Sequence, residues 1–355
     1  MKAAPGSPSI FNDVLGPVMR GPSSSHSAAA NRIGRLCRDL AGGDIEQAVI
    51  DYDPSGSLVT THSSQGTDMG LYGGFLGWPA DAARLPDYER YLAESGLQVE
   101  VRYLDFGAVH PNHYRLRIRG ANGRQHSLQA LSTGGGMLEV MDIDGHALNC
   151  AGDYFELLLY LDDEADEERI RAEVTALQAP ERYQRSEASG RLLCFSFSGP
   201  PDASVLRYLD AHPGIEFHRL LQPVLPVLSR RDQAVPFQSA EQMLEFNRGQ
   251  GQALWELAVA YESARGGISG AEVLNRTHEL LHFMEGSIRE GLAGTDYADR
   301  ILPCQSTGFL QSQAEGRLIP GDTINRVIAF ITAIMEVNSS MGLIVAAPPA
   351  GSCGA

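Results

Sequence analysis

Long hydrophobic runs are missing from this sequence. The most apolar helical stretch, "VIAFITAIM" (327–335), lies between Arg326 and Glu336. That is far short of the roughly 20 residues a membrane-spanning helix needs, and it reads as a core helix. The amino end, "MKAAPGSPSIFNDVLG", has no apolar run of the kind found at the centre of a secretory signal. Positive charge is scarce as well: 28 Lys and Arg stand against 44 Asp and Glu, a formal charge of −16. Nucleic acid and anionic membrane carry the same sign, so neither is an expected partner. Cysteine is sparse too. Five of them, odd in number and irregularly spaced, do not make a disulfide framework. With no export signal, reduced thiols in the cytoplasm are the expectation. Repeats and low-complexity tracts are absent.

The 355 residues present are enough for two or three domains and a well-buried core. The class expected is α+β, in three regions. Residues 1–146 mix short strands and helices. "VEVRYLDFG", "HYRLRIRG" and "QHSLQALSTGGG" read as strands, with "GANGR" as a hairpin turn, and helices are expected from Ser27 through "AAANRIGRLCRDL" and over "DMGLYGGFLG". Residues 147–230 alternate strand and helix as β-α-β-α-β, a small α+β module with helices on one face of a sheet. The stretch "PVLPVLSRRDQAVPF" then reads as a linker. Residues 231–355 are helical. "SAEQ" and "SGAE" carry the capping-box spacing, and Asp322 is placed to cap the last helix. Cys37 and Cys194 read as small core residues, and Cys150 says nothing by itself.

Four short segments are able to carry chemistry. In "GPSSSHSAAANRIG" Ser23, Ser24, Ser25 and His26 precede a helix, where unpaired N–H groups favour an anion such as a carboxylate. One serine would suffice to cap that helix, so three followed by a histidine point to a site. "QGTDMG" offers Thr67 and Asp68, the latter equally able to serve as a cap. "HPNHYR" offers His110, Asn112 and His113. "STGGGM" offers Gly134 and Gly135, whose backbone can approach a ligand closely or simply turn a strand.

Together "SIFNDVLGPVMRGPSSSHSAAANRIG", "GTDMGLYGGFLG", "HPN", "STGGG", "VPFQSAEQML" and "EVNSSMGLIVAAPPAGSCGA" resemble the bacterial iron–sulfur L-serine dehydratases, with a β-type domain ahead of an α-type domain. The likeness covers both ends and leaves out roughly 147–230, a module similar to ACT-type regulatory domains. It implies a [4Fe–4S] cluster and no pyridoxal phosphate, elimination of water from a small amino acid, and release of a 2-oxo acid and ammonia. It places His26, Gln65, Thr67 and Asp68 in the catalytic group, and Ser23, Ser24, Ser25, His110, Asn112, Gly134 and Gly135 around the substrate. Cys353 would be the first cluster ligand.

Three departures qualify the likeness. The family's Gly-His-Gly-Thr-Asp reads here as Ser64-Gln65-Gly66-Thr67-Asp68, and Gln65 takes no proton at neutral pH. His62 stands close by as a replacement. "ILPCQSTGFLQSQAEG" departs from the family's Gly-rich stretch, and its Cys304 reads as either a new ligand or an adventitious thiol. The family's other two cluster cysteines follow its Ser-Cys-Gly, where this sequence ends. The expectation is therefore a second chain bringing the missing α-type part, or a sequence that is a piece of a longer one. The helix "GDTINRVIAFITAIMEVNSS" is apolar on nearly all sides, which calls for a cover. That cover is the second chain, a missing carboxyl-terminal segment, or another copy in a homo-oligomer. A non-catalytic amino-acid sensor that never builds a cluster is the competing function.

Overall fold

The structure is a computed structural model that describes residues 7–188, 190–230, 234–297 and 302–347. The chain begins with β1 (Val18–Met19) and α1 (Ala29–Ala41), followed by β2 (Ile45–Tyr52), α2 (Leu58–Thr61), α3 (Thr67–Phe75), α4 (Tyr88–Ser95) and β3 (Gln98–Tyr103). A meander of β4 (His113–Gly120), β5 (Gln125–Gly134), β6 (Met137–Ile143) and β7 (His146–Cys150) comes next. These strands build a six-stranded sheet in the order β3-β2-β4-β5-β6-β7, with only β2 and β3 parallel. Alternation along β4 explains its placement. Tyr114, Leu116 and Ile118 are buried in the main core, while Arg115 and Arg117 point the other way and meet the buried Asp51 carboxylate. α1 buries Ile33, Cys37 and Leu40 on its sheet side and ends at Gly42, in the left-handed conformation (φ 79°) of a helix stop.

The middle region is β8 (Phe155–Leu161), α5 (Glu167–Leu177), β9 (Arg182–Glu187), β10 (Arg191–Phe197), α6 (Ala203–Ala211) and β11 (Ile215–Leu221). Its strands are antiparallel in the order β11-β8-β10-β9, the ferredoxin-like arrangement. The β-α-β-α-β reading missed β9, whose "RYQRSE" is a polar edge strand with no buried apolar residue to betray it. β8 and β10 are covered on both faces, hence the continuous apolar stretches 157–161 and 192–195 within them. Leu157, Leu159, Leu193 and Phe195 pack with Ile170 and Val205 of the module's helices. Leu158, Tyr160, Leu192 and Cys194 join the core of the six-stranded sheet.

The expected linker is not loose where it is described. Val224, Leu225 and Val227 are buried, and the Asn12 side chain clamps Val227, with Nδ2 donating to its carbonyl at 2.7 Å and Oδ1 accepting from its N–H at 2.9 Å. The helical region comprises α7 (Ala240–Phe246), α8 (Leu254–Gly266), α9 (Gly270–Ala293), α10 (Ser306–Ala314) and α11 (Asp322–Ser339), closed by β12 (Ile344–Val345). Ser239 and Ser269 accept from the N–H groups of Gln242 and Glu272, but neither box is reciprocal: Glu272 turns to Arg276 instead. Asp322 is not a cap. Gly321 holds that position and Asp322 lies in the first turn.

α11 also departs from the core-helix reading. It buries Asn325, Ala329, Ala333 and Val337, while Ile324 (58% exposed), Val327, Ile328 and Met335 (48%) face outwards. β12 pairs antiparallel with β1, Val345 opposite Val18 and Ile344 opposite Met19. Among the described residues, no helix is long and apolar enough to cross a membrane.

Candidate active site

Ser24–Ala28 form one π-helical turn that runs directly into α1. Its hydroxyls converge on one imidazole: Ser23 Oγ and Ser25 Oγ lie 3.0 and 3.2 Å from His26 Nδ1. On the far side His26 Nε2 is 3.2 Å from Thr61 Oγ1, whose own hydrogen goes to the Ser57 carbonyl at 2.8 Å. Thr61 Oγ1 therefore accepts from Nε2–H, which leaves Nδ1 as an acceptor for a serine hydroxyl. Burial lowers the His26 pKa, so the ring is neutral at pH 7. Ser132 at the end of β5 ties the turn down, its Oγ donating to the Ser25 carbonyl at 2.7 Å. None of Ser23, Ser24 or Ser25 is spent as a helix cap of α1, whose N-terminal position is Ala28.

A close helix crossing brings the next group alongside. α3 lies so near that a side chain at Gly70 would collide with the Ser27 carbonyl, and one at Gly74 with that of Asn31. The glycines of "DMGLYGGFLG" thus serve backbone approach between helices. Gly66 caps α3 in a left-handed conformation (φ 81°), and Asp68 is free of the capping role it was equally suited to. Instead Asp68 Oδ2 receives His62 Nδ1 at 2.7 Å, and His62 Nε2 meets the Tyr103 hydroxyl at 2.8 Å. Burial raises the Asp68 pKa, with the His62 contact acting against it. Gln65 contributes backbone: its carbonyl accepts from Ser27 Oγ at 3.2 Å.

Near the His62–Asp68 pair several buried polar atoms lack a partner of full hydrogen-bond geometry: Tyr52 Oη, Asp68 Oδ1, which Tyr72 approaches, and Thr67 Oγ1 and Tyr114 Oη, which face each other. The Tyr52 ring is 5.2 Å from His62 and 6.0 Å from Tyr114. Such groups normally find partners inside proteins, and a cluster of them beside a histidine–carboxylate hydrogen bond fits a space that receives a polar molecule. The loop before β4 reaches the same region. The Ser57 hydroxyl donates to Asn112 Oδ1, the Asn112 carbonyl accepts from Ser132 N at 3.0 Å, and His110 Nδ1 accepts from Asn112 N at 3.1 Å. His113 is buried on β4. Gly134 and Gly135 (φ 106° and 61°) make the β5–β6 turn that follows Ser132.

Sequence reading named most of these residues but not Ser57, Thr61, Tyr103 and Ser132, which complete the network. The hydroxyl-rich "LVTTHSSQG" was the available signal for Thr61. A separate cleft of about 1030 Å³, lined by Arg117, His126, Asp144 and Phe217, is not part of this network.

Among the described residues, the thiols do not form a cluster site by themselves. Cys353 lies outside the described residues. Cys304 is exposed just before α10, 3.6 Å from Thr307 Oγ1. Cys37 is buried in the core. Cys150 and Cys194 do gather with Glu156, but that buried carboxylate already accepts from Arg182 at 3.1 Å, Ser196 at 2.6 Å and Cys194 at 3.2 Å. A cation there would displace a guanidinium.

Both the helical end and a further stretch of this chain have known counterparts. Residues 240–355 match the family model described as "Serine dehydratase alpha chain". The chain is 35% identical over 155 residues to the "Probable L-serine dehydratase, beta chain" of Bacillus subtilis (strain 168), covering 44% of this chain and 69% of that one. It is 31% identical over 148 residues to the "L-serine dehydratase, beta chain" of Peptoniphilus asaccharolyticus, covering 41% and 66%. One polypeptide therefore resembles both an alpha chain and beta chains. It belongs to the L-serine dehydratase family.

Proposed function

We propose that this chain is the larger part of an L-serine dehydratase, removing water from L-serine or a close β-substituted amino acid to leave a 2-oxo acid and ammonia. The observation that carries this is the convergence of Ser23, Ser25 and Thr61 on neutral His26, beside a buried polar cluster around His62 and Asp68. Hydroxyls that accept and donate suit an amino acid's ammonium and carboxylate together. His26 holds the serine hydroxyls in place, Thr67 and Asn112 offer further polar contacts, and His110 with the Gly134–Gly135 turn borders them. The relatives' names supply the substrate.

The cofactor in this reading is a [4Fe–4S] cluster whose ligands include Cys353, with Cys304 a candidate and a second chain supplying the rest. Two points support it. The β1–β12 ladder fixes Ala346 beside Pro17, Ala346 N donating to the Pro17 carbonyl at 3.0 Å. From there Cys353 can lie no more than about 25 Å away even on a fully extended chain. Pyridoxal phosphate is disfavoured because it is tethered through a lysine, and Lys2 is the sole lysine of this sequence. Residues 1–146, 147–230 and 231–355 are read as β-type, ACT-like and partial α-type units, in the cytoplasm.

Anaerobic co-expression with candidate second chains tests the reading. Purified assemblies are assayed for pyruvate and ammonia from L-serine, and for iron and inorganic sulfide. Turnover with sulfide present is expected. Serine binding without turnover in every combination would instead identify a sensor.

A further inference from the structure

We propose that His62, held by Asp68, takes the α-proton of the bound amino acid; this rests on the dehydration reading above. Asp68 Oδ2 accepts from His62 Nδ1–H at 2.7 Å, so the lone pair of the neutral ring is on Nε2. That arrangement, a carboxylate fixing the tautomer and orientation of an imidazole, is the one by which histidine serves as a general base. Nε2 is covered by a single group, the Tyr103 hydroxyl at 2.8 Å. Tyr103 is 55% exposed at the end of β3, so its ring can leave without disturbing the core. The hydrogen-bonded pair itself is sheltered, with side chains 13% and 10% exposed.

Other bases are less well placed. His26 Nδ1 is occupied by two serine hydroxyls, and its Nε2–H by Thr61. His110 Nδ1 accepts a backbone N–H. Gln65, three residues beyond His62, cannot accept a proton. The Tyr52 ring lies 5.2 Å from that of His62, and Tyr52 Oη and Asp68 Oδ1 are buried there without a hydrogen-bond partner, so a polar ligand beside His62 would satisfy them. Thr61 links the two imidazoles: its side chain contacts His26 and its backbone continues into His62.

The step balances without a further reactant. The Cα–H proton moves to His62 Nε2, the C–H electron pair becomes the second bond between Cα and Cβ, and the β-hydroxyl departs with its electron pair. The leaving hydroxide takes up one proton from solvent to become water, and the imidazolium returns one proton to solvent through the space that Tyr103 vacates, so protons balance over the turnover.

The test uses the assembled, active protein. In histidine-labelled wild type, L-serine at saturation should shift the His62 ring signals, identified by their absence in His62→Asn. In His62→Asn, kcat should fall by about 10²- to 10⁴-fold with KM changed less than about 3-fold. The acid limb of its pH–kcat profile should disappear, and imidazole in the buffer should restore part of the rate. His62→Gln provides a second variant should the asparagine form fold poorly. Serine shifting His26 but not His62, or a variant retaining kcat and the acid limb, overturns the role of His62 alone. No shift at either histidine overturns the dehydration reading with it.

Discussion

Val18 lies directly across an antiparallel ladder from Val345, so a strand near the start of the chain is paired with one near its end. Next along the ladder Met19 is fully buried with Ala28, Val337 and Ile344. One small cluster thus ties three things together: the approach to the serine turn, the C-terminal end of α11, and the segment leading to Cys353. Burial is what makes this tie rigid, because two-residue strands contribute few hydrogen bonds.

Met19→Ala should therefore do more than its size suggests. Removing a fully buried methionine side chain costs about 2–5 kcal/mol. The expected result is a lower urea midpoint together with faster hydrogen exchange at both Ala28 and Ile344. An exchange change confined to the β12 side would show that the serine turn is held independently.

Gly70→Ala probes the helix crossing. Its new Cβ would meet the Ser27 carbonyl, backbone that cannot swing aside. Overpacking of this kind costs about 1–3 kcal/mol, and here it pushes α3 with Thr67 and Asp68 away from the turn. Loss of serine turnover larger than the loss of stability is expected, read by kcat/KM beside a thermal melt.

How much of this was legible beforehand divides along physical lines. The serine turn, α1, α3 and β3–β5 followed from hydroxyl clustering, caps and alternation, because each signal is local. β9 carried no signal since its register is imposed by β10. Asp68 was ambiguous because a helix-start aspartate has two uses, and only the position of His62, six residues earlier in sequence but one hydrogen bond away, decides between them. The pairing of Val18 with Val345 is invisible in sequence for the same reason: two residues of strand have no periodicity.

Acid should weaken the fold early. Burial lowers the pKa of His26, His113 and His146 below the ordinary 6.5. Below about pH 6.5 the unfolded chain therefore binds protons that the folded chain does not, and stability falls as pH drops. Glu336 adds to the loss at lower pH. Burial alone would raise its pKa, but N–H groups of Gln305 and Ser306 at 2.6 and 2.5 Å hold it below the usual value. Its stabilisation is present above the unfolded carboxyl pKa and vanishes as pH falls through the folded one. Thermal melts from pH 7.5 to 4 should show a decline beginning near 6.5, and His26→Asn should flatten its first part.

The outward face of α11 yields the sharpest prediction about assembly. Ile324, Val327, Ile328 and Met335 present apolar side chains to solvent on a helix whose other side is packed against α9. Exposed groups of this size gain about 1.5–3 kcal/mol each when covered. In the free chain they stabilise nothing, so Ile324→Glu with Ile328→Glu should leave its melting temperature nearly unchanged. If the proposed second chain covers this face, the same pair of changes removes two covered side chains and buries two charges. Affinity for the second chain should then fall at least 10²-fold, since about 1.4 kcal/mol is one decade. Analytical ultracentrifugation distinguishes the occupant. If the doubly substituted chain still binds the second chain but no longer self-associates, the face belongs to a homo-oligomer, and the covering chain must dock elsewhere.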